Sequence, residues 1–205
     1  MVSKKTYFLI IFFILFRLIS VSQGFTPGFF AGIIASQVDG DMLEGYNKPG
    51  GQFGVLVKRD LTEKYGIQTE IKFIQKGSRK VAHPDKGDIS SYKIKLDYVE
   101  VPFLFNYTIK KKYRPEIGLG FGYLIKSGEF VDGYEYIPEP AFKKYELSIM
   151  LGFNYKIFSK IELNLRYSYS IMPIRDFPGV KSFYFDRFQY NNLMSFALYY
   201  NFLSE

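Results

Sequence analysis

The second half of the chain alternates strictly between apolar residues and small or polar ones. Between Glu116 and Lys126, every second position is apolar: Ile117, Leu119, Phe121, Tyr123 and Ile125. The same pattern recurs over 145–156, 161–171 and 194–202. A period of two is that of a β-strand, because successive side chains point to opposite faces of the sheet. Each run is about 10 residues long, which a tilted strand needs to cross a bilayer. The pattern therefore predicts membrane-spanning strands.

The first half of the chain shows the same alternation with more exceptions. It predicts four further strands, at residues 28–37, 51–58, 66–76 and 99–107. Just before the fourth of these, the parity is inverted, because Ile94, Leu96 and Tyr98 alternate with Lys93, Lys95 and Asp97. Either a β-bulge near Asp97–Tyr98 resets the register, or this segment projects beyond the lipid.

Long and short connections alternate along the chain. The long ones, rich in Gly, Pro, Asp and Lys, are 38–50, 77–91, 127–144 and 172–191, and the short ones are 59–65, 108–114 and 157–160. Long loops on one side and short turns on the other are typical of outer-membrane barrels. We therefore predict an all-β fold, an eight-stranded antiparallel transmembrane up-and-down β-barrel in the OmpA/OmpX size range, with both termini periplasmic.

A soluble barrel of the lipocalin type is the main alternative for the same alternation. Its bulky residues would face inward, but the lumen of eight strands has little room for so many Phe, Tyr, Leu and Ile side chains. Tyrosines also lie near both ends of the predicted strands, at Tyr123, Tyr145 and Tyr169 on the loop side and Tyr107, Tyr155 and Tyr200 on the turn side. Such placement is typical of the aromatic girdles of membrane barrels.

The N-terminus has the pattern of a secretory signal peptide. Two lysines at positions 4 and 5 precede an apolar run over 7–19 that only Arg17 interrupts, and small residues follow. We predict cleavage after Ser22, which divides the chain into a signal peptide, 1–22, and a barrel domain, 23–205. An uncleaved anchor is the alternative, but the uninterrupted apolar stretch is short for a spanning helix.

The composition argues against several classes of function. The chain has no cysteine, and His83 is its only histidine, so thiolate, common zinc and His-dependent catalytic sites lack ligands. Subtracting Lys4, Lys5 and Arg17 from 27 basic residues leaves 24 against 20 acidic ones. An excess of four is too small to predict nucleic-acid binding.

Three segments of the chain carry recognisable strand motifs. They are Gly66-Ile67-Gln68-Thr69-Glu70-Ile71-Lys72-Phe73-Ile74-Gln75-Lys76-Gly77, then Asp97-Tyr98-Val99-Glu100-Val101-Pro102-Phe103-Leu104 with a Tyr-x-x-(Ile/Val)-Pro pattern, and Gly118-Leu119-Gly120-Phe121-Gly122. Together they resemble motifs of the PorT-like outer-membrane β-barrel family of Bacteroidota. The resemblance spans residues 28–202; one departure is that Ile34-Ala35-Ser36 lacks the Asn expected near the end of the first strand. It implies an outer-membrane barrel of a Gram-negative envelope, and some members are tied to type IX secretion and gliding.

Candidates for rim chemistry are His83, Asp85 and Asp88, with Ser90 and Ser91 nearby. A single His in a Lys- and Gly-rich segment is more often a solvated loop residue. The pair Asp39 and Asp41 lacks further oxygen ligands for calcium, and turn chemistry explains it better. We therefore predict no catalytic, cofactor-binding or metal site.

Charged residues on the inward parity are the main candidate site. We place Glu70, Lys72, Glu100 and Arg166 near mid-barrel, Glu116, Lys156 and Glu162 toward the turns, and Lys126 and Glu146 toward the loops. An ion or solute path is one interpretation. A plug of paired charges, with Arg166 paired to Glu100 or Glu70, is favoured because side chains fill so small a lumen and a lone buried charge is costly.

Aromatic residues beside charges in the last two long loops are candidates for partner contact: Tyr134, Tyr136, Phe177, Tyr184 and Arg187. These aromatics could equally pack on one another and cap the barrel. The leading hypothesis is a non-enzymatic barrel in outer-membrane lipid that presents four loops for adhesion or contact with other envelope or secretion proteins. The alternatives are a narrow solute or ion channel, an accessory component of type IX secretion or gliding, and a rim-site outer-membrane enzyme.

Overall fold

Eight long antiparallel strands close into a barrel in the computed structural model, which describes residues 24–41, 43, 45–137, 140–176 and 188–203. The barrel strands are β1 (Phe25–Asp39), β2 (Lys48–Asp60), β3 (Tyr65–Lys80), β4 (Tyr92–Tyr107), β5 (Tyr113–Val131), β7 (Tyr145–Lys156), β8 (Ile161–Ser170) and β10 (Phe188–Asn201). Consecutive strands pair, and β1 pairs with β10 from Gly28↔Asn201 to Asp39↔Tyr190. The predicted fold class is confirmed.

Three short elements lie at the loop end of the barrel. Strand β6 (Tyr134–Tyr136) folds back on β5, strand β9 (Arg175–Asp176) pairs with β10, and a 3-10 turn covers Pro84–Lys86. Within the described ranges, no helix is long and apolar enough to cross a membrane. The predicted signal peptide, 1–22, lies outside the described residues.

The side chains alternate between the lumen and the outer wall. On β8, Asn164 and Arg166 are buried whereas Leu165 between them is 58% exposed. On β5, Leu119 and Phe121 are likewise exposed on the outer wall. The bulky apolar face therefore points outward, and the lipocalin arrangement is wrong for this chain.

A β-bulge in β5 lies opposite the predicted irregularity in β4. The β4–β5 register shifts between Asp97↔Lys126 and Tyr98↔Leu124, so Ile125 is the additional residue. Inward burial nevertheless continues through β4 without a change of parity, because Ile94, Leu96, Tyr98 and Glu100 are all buried. The bulge instead exchanges the inward and outward positions at the end of β5. Lys126 is therefore exposed on the outer wall, opposite Asp97. Its prediction as a lumen charge is wrong.

Three strands extend beyond their predicted boundaries at the loop end. Strand β3 continues to Lys80, β4 begins at Tyr92, and β5 reaches Val131. The outward positions become polar there, so the apolar alternation stops although the backbone pairing continues, as in Arg79↔Lys93. The barrel wall thus rises above the apolar belt.

Candidate functional site

A buried cluster around Arg166 fills the middle of the lumen. Arg166 Nη1 and Nη2 donate to the two carboxylate oxygens of Glu70 at 2.9 and 2.8 Å, and Arg166 Nε donates to Glu116 Oε1 at 2.7 Å. The Tyr199 hydroxyl lies 3.0 Å from Arg166 Nη2 and donates to Glu70 Oε1 at 2.9 Å. All four residues are at most 4% exposed. The guanidinium is therefore held between two carboxylates, which is the geometry a buried cation requires.

Glycine makes room for this cluster. The register places Glu116, Gly152 and Arg166 in one row across β5, β7 and β8, with Gly152 in the middle. A Cβ on Gly152 would lie 2.4 Å from Glu116 Oε1. The side chains of the two outer residues consequently meet over the bare backbone of the central strand.

A second buried cluster lies one layer closer to the loops. Glu100 pairs with Lys72 at 2.8 Å and with Lys76 at 2.5 Å, and Lys76 Nζ also contacts Glu146 at 3.0 Å. Ser170 Oγ donates to Glu146 at 2.7 Å, and Asn191 Nδ2 does so at 3.0 Å. In this row Gly122 separates Glu100 from Glu146. Lys76 thus joins two carboxylates that lie on either side of a glycine, as Gly152 lies between Glu116 and Arg166 in the first cluster.

The structure divides the four predicted mid-barrel charges between these two clusters. Glu70 joins Arg166, whereas Glu100 joins Lys72 and lies in the other cluster. Glu116 was placed toward the turns by its position in β5, but the strand register puts it in one row with Gly152 and Arg166 in the middle of the lumen. Lys76 was not among the predicted lumen charges, although its parity continues that of Glu70 and Lys72.

The turn end of the lumen has its own ion pairs. Lys58 pairs with Glu162, which also accepts a hydrogen bond from Asn201 Nδ2 at 3.1 Å. Arg114 pairs with Asp60 at the rim. Charges of opposite sign therefore meet at this end as well.

An apolar layer and a further ion pair close the loop end. The layer comprises the buried residues Ile34, Val38, Ile74, Ile94, Leu96, Tyr98, Leu124, Phe142, Ile174 and Leu193. Above it, fully buried Arg175 donates to Glu129 Oε2 at 2.6 Å and to Gln189 Oε1 at 2.8 Å, and its guanidinium lies 4.1 Å from the Phe142 ring. Tyr92 donates its hydroxyl to the same Glu129 carboxylate. Arg175 and Glu129 were both predicted to lie in loops. In the structure they lie on strands beyond the apolar belt, where the sequence pattern does not predict strands.

Part of the predicted loop surface is described. Tyr134 and Tyr136 lie on β6 and are 82% and 53% exposed, and the following Ile137 is 85% exposed. Register pairs Val131↔Tyr134 and Glu129↔Tyr136 tie this strand to the end of β5. The candidates Phe177, Tyr184 and Arg187 lie outside the described residues.

The rim residues form a structured turn. The backbones of His83 and Asp88 exchange hydrogen bonds of 2.7 and 3.2 Å around the 3-10 turn. Lys80 Nζ donates to Asp88 Oδ1 at 2.9 Å, and this hydrogen bond lowers the pKa of the Asp88 carboxyl. The Asp88 carboxylate therefore pairs with a lysine side chain.

The two aspartates of the first loop have separate roles. Asp41 Oδ1 accepts a hydrogen bond from the backbone of Leu43 at 2.8 Å, as in an Asx turn, and burial raises the pKa of this carboxyl. Asp39 accepts instead from Gln37 and Asn192. Among the described residues, no three His, Asp or Glu side chains cluster as metal ligands would.

An outward apolar belt, inward paired charges and full closure of the sheet define an integral outer-membrane β-barrel protein. Residues 19–176 match the family described as outer membrane protein beta-barrel domain, and the chain belongs to that family. The protein is thus located in the outer membrane. No curated protein matches the sequence.

Solved barrels of similar fold include a Neisserial protein and a Yersinia pestis protein. Neisserial surface protein A matches with a TM-score of 0.56 at 10% identity, over 88% of this chain and 100% of that one. Ail, the attachment invasion locus protein of Yersinia pestis, solved in complex with the heparin analogue sucrose octasulfate, matches with a TM-score of 0.51 at 12% identity, over 88% and 100%. At such identities the likeness concerns the fold.

Proposed function

We propose that this barrel is a non-enzymatic, non-conducting outer-membrane protein whose long loops contact a protein partner or an adhesion surface. In this proposal the long loops lie outside the cell and both termini are periplasmic. The lumen supports it, since the described residues obstruct the path at the Arg166 cluster, the Lys76 cluster and the apolar layer. Because the lumen is obstructed, we place the protein's contacts with partner molecules at its rim.

The β5–β6 hairpin is the observation that carries the proposal. Its strands pair beyond the apolar belt, so Tyr134, Tyr136 and Ile137 stand on an ordered support while remaining exposed. Exposed aromatic and aliphatic side chains on a rigid element are typical of protein-contact surfaces. An ordered hairpin also loses less conformational entropy on binding than a free loop.

We also propose that the chain lies on the PorT-like branch of its family, with type IX secretion or gliding as the setting of its partner. The motif glycines support this, because Gly118, Gly120 and Gly122 supply the lumen face of β5 with space that larger residues would fill. A Cβ on Gly120 would lie 2.3 Å from Met150 Cε. The partner would then belong to the envelope machinery.

Site-specific photo-crosslinking on intact cells tests the contact surface. A photoreactive phenylalanine analogue at Tyr134 or Tyr136 should give a discrete protein adduct, identified by mass spectrometry. The same analogue at Glu63, exposed in a short turn, is the matched control. Adducts of equal yield and identity at all three positions would contradict the proposal.

Planar-bilayer recording tests the channel alternative. The purified barrel should give no stable conductance steps. Steps that change when Arg166→Leu and Glu70→Leu are combined would assign a conducting path to the lumen and overturn the plugged barrel. The turn around His83 gives no comparable support to an enzyme, since Lys80 engages the neighbouring Asp88.

A further inference from the structure

A group of basic residues lies on the outer wall of the barrel, outside the lumen and beside the β5–β6 hairpin. Arg79 on β3, Lys93 and Lys95 on β4, and Lys126 on β5 form this group, here called the outer basic patch. They line adjoining grooves of about 430 and 390 Å³ that share Lys93, Lys95 and Phe130. On β4, Ile94 and Leu96 alternate with Lys93 and Lys95, point inward and belong to the apolar layer, so the two lysines belong to the outer surface.

Basic residues outnumber acidic ones around the patch. Arg79 and Lys93 are directly paired across β3 and β4, a like-charge arrangement that disfavours strand pairing. In the described part of the chain, none of the four patch residues forms a salt bridge. The two grooves are lined by six basic residues, namely the four of the patch with Lys48 and Lys80, against Asp97 and Glu135. An anionic ligand would relieve this repulsion.

The lower part of the patch lies at the height of the headgroup layer of a membrane. The unbroken run of outward apolar positions ends at Val99 on β4 and at Tyr123 and Ile125 on β5. Asp97, opposite Lys126, lies two residues beyond Val99, or ~7 Å along the strand, and Lys95 lies ~13 Å along it. With a strand tilt of about 40°, these distances correspond to heights of ~5 and ~10 Å. The headgroup region of a bilayer adds about 5–8 Å on each side of the hydrocarbon core.

The packing of the patch also suits a membrane surface. Lys95 Nζ lies 4.9 Å from the centre of the Phe130 ring, and this cation–π contact holds the ammonium group against the outer wall. Tyr123 and Tyr145 stack edge to face at 5.6 Å just below, as interfacial aromatics do. Long basic side chains above such a girdle can reach toward phosphate oxygens at the headgroup level.

We propose that the outer basic patch binds the phosphate groups of anionic lipid headgroups in the leaflet at the loop end of the barrel. The lysines and the arginine supply charge-assisted hydrogen bonds to phosphate oxygens, while the acyl chains lie along the apolar belt below. The binding orients the barrel in the membrane and fixes a lipid beside the β5–β6 hairpin.

Native mass spectrometry of the folded barrel in detergent tests this proposal. The probes are a bis-phosphorylated lipid A, its dephosphorylated form, and inorganic phosphate. The wild-type protein should retain the phosphorylated lipid at least about tenfold more tightly than the dephosphorylated one. Replacing Arg79, Lys93, Lys95 and Lys126 with Gln should abolish that preference.

A matched variant controls for net charge. Replacing Lys64, Lys110, Lys111 and Lys112 with Gln removes the same charge from exposed residues at the turn end. This control should keep the preference, and heat-dependent gel mobility should report folded barrels for both variants. Lys95→Gln and Lys126→Gln, measured singly, should each weaken lipid retention by up to about fivefold. These single variants test the proposal if the quadruple variant fails to fold.

Three results would overturn the assignment. The patch variants could retain phosphorylated lipid as wild type does, or the turn-end control could lose as much of it. Full displacement of the lipid by inorganic phosphate at equal phosphate concentration would identify a free-anion site in place of a lipid site.

Discussion

Arg166 and Glu116 lie on strands that are not neighbours, yet their side chains meet at 2.7 Å above the backbone of Gly152. The intervening strand contributes no side chain at that position, so the ion pair spans three strands of the barrel. This arrangement couples the packing of β5, β7 and β8 in one polar contact.

We expect Gly152→Ala to destabilise the barrel. Its Cβ would overlap the Glu116 carboxylate, and overpacking of this kind costs roughly 1–3 kcal/mol. Urea unfolding in detergent measures the loss. Gly51→Ala is the control, because its Cβ would meet only Gln75 Oε1, at an ordinary 3.7 Å. Equal midpoints for the two variants would mean that the space over Gly152 is not needed.

Arg166→Leu should leave two buried carboxylates without their cation. Loss of one partner of a buried pair typically costs about 3–5 kcal/mol. Adding Glu70→Leu should recover part of that loss, because Glu70 is the bidentate partner. Adding Glu100→Leu should be close to additive, since Glu100 pairs with Lys72 and Lys76 instead. Double-mutant cycles of unfolding free energy separate these outcomes, and coupling to Glu100 alone would contradict the observed pairing.

Leu119→Arg and Leu165→Arg should each cost on the order of 2–4 kcal/mol, as a cation does at the bilayer midplane. Both side chains are exposed on the outer wall, at 42% and 58%. Tyr123→Arg, at the girdle, should cost much less because the charge can reach the interface. Folding into liposomes under a urea titration gives the three values. A uniform cost would show that the lipid-facing depths are assigned incorrectly.

The proposed orientation predicts which residues react with reagents that do not cross membranes. A cysteine replacing Tyr134 should be labelled by a membrane-impermeant maleimide on intact cells. A cysteine replacing Glu63, exposed in a turn at the opposite end, should be labelled only after lysis. Reversed labelling would place the long loops in the periplasm.

Much of the fold follows from the order of residue types alone. The two faces of each strand are set by which side chains can contact lipid and which cannot, and this property is local to the residue. For that reason Leu165 and Arg166 could be assigned to opposite faces without any knowledge of their neighbours. The even number of strands and the alternation of loop lengths similarly predict closure.

The pairing inside the lumen depends on tertiary structure. Strand register decides which inward residues lie in one row, and it brings Glu116 to Arg166 although their positions along their own strands differ. One inserted residue, Ile125, decides that Lys126 lies on the outer wall and contributes to a basic surface. The sequence by itself determined the class of barrel and its two faces, because burial preference acts residue by residue. Only the closed sheet decided the ion pairs, because register and tilt bring together charges that are far apart along the chain.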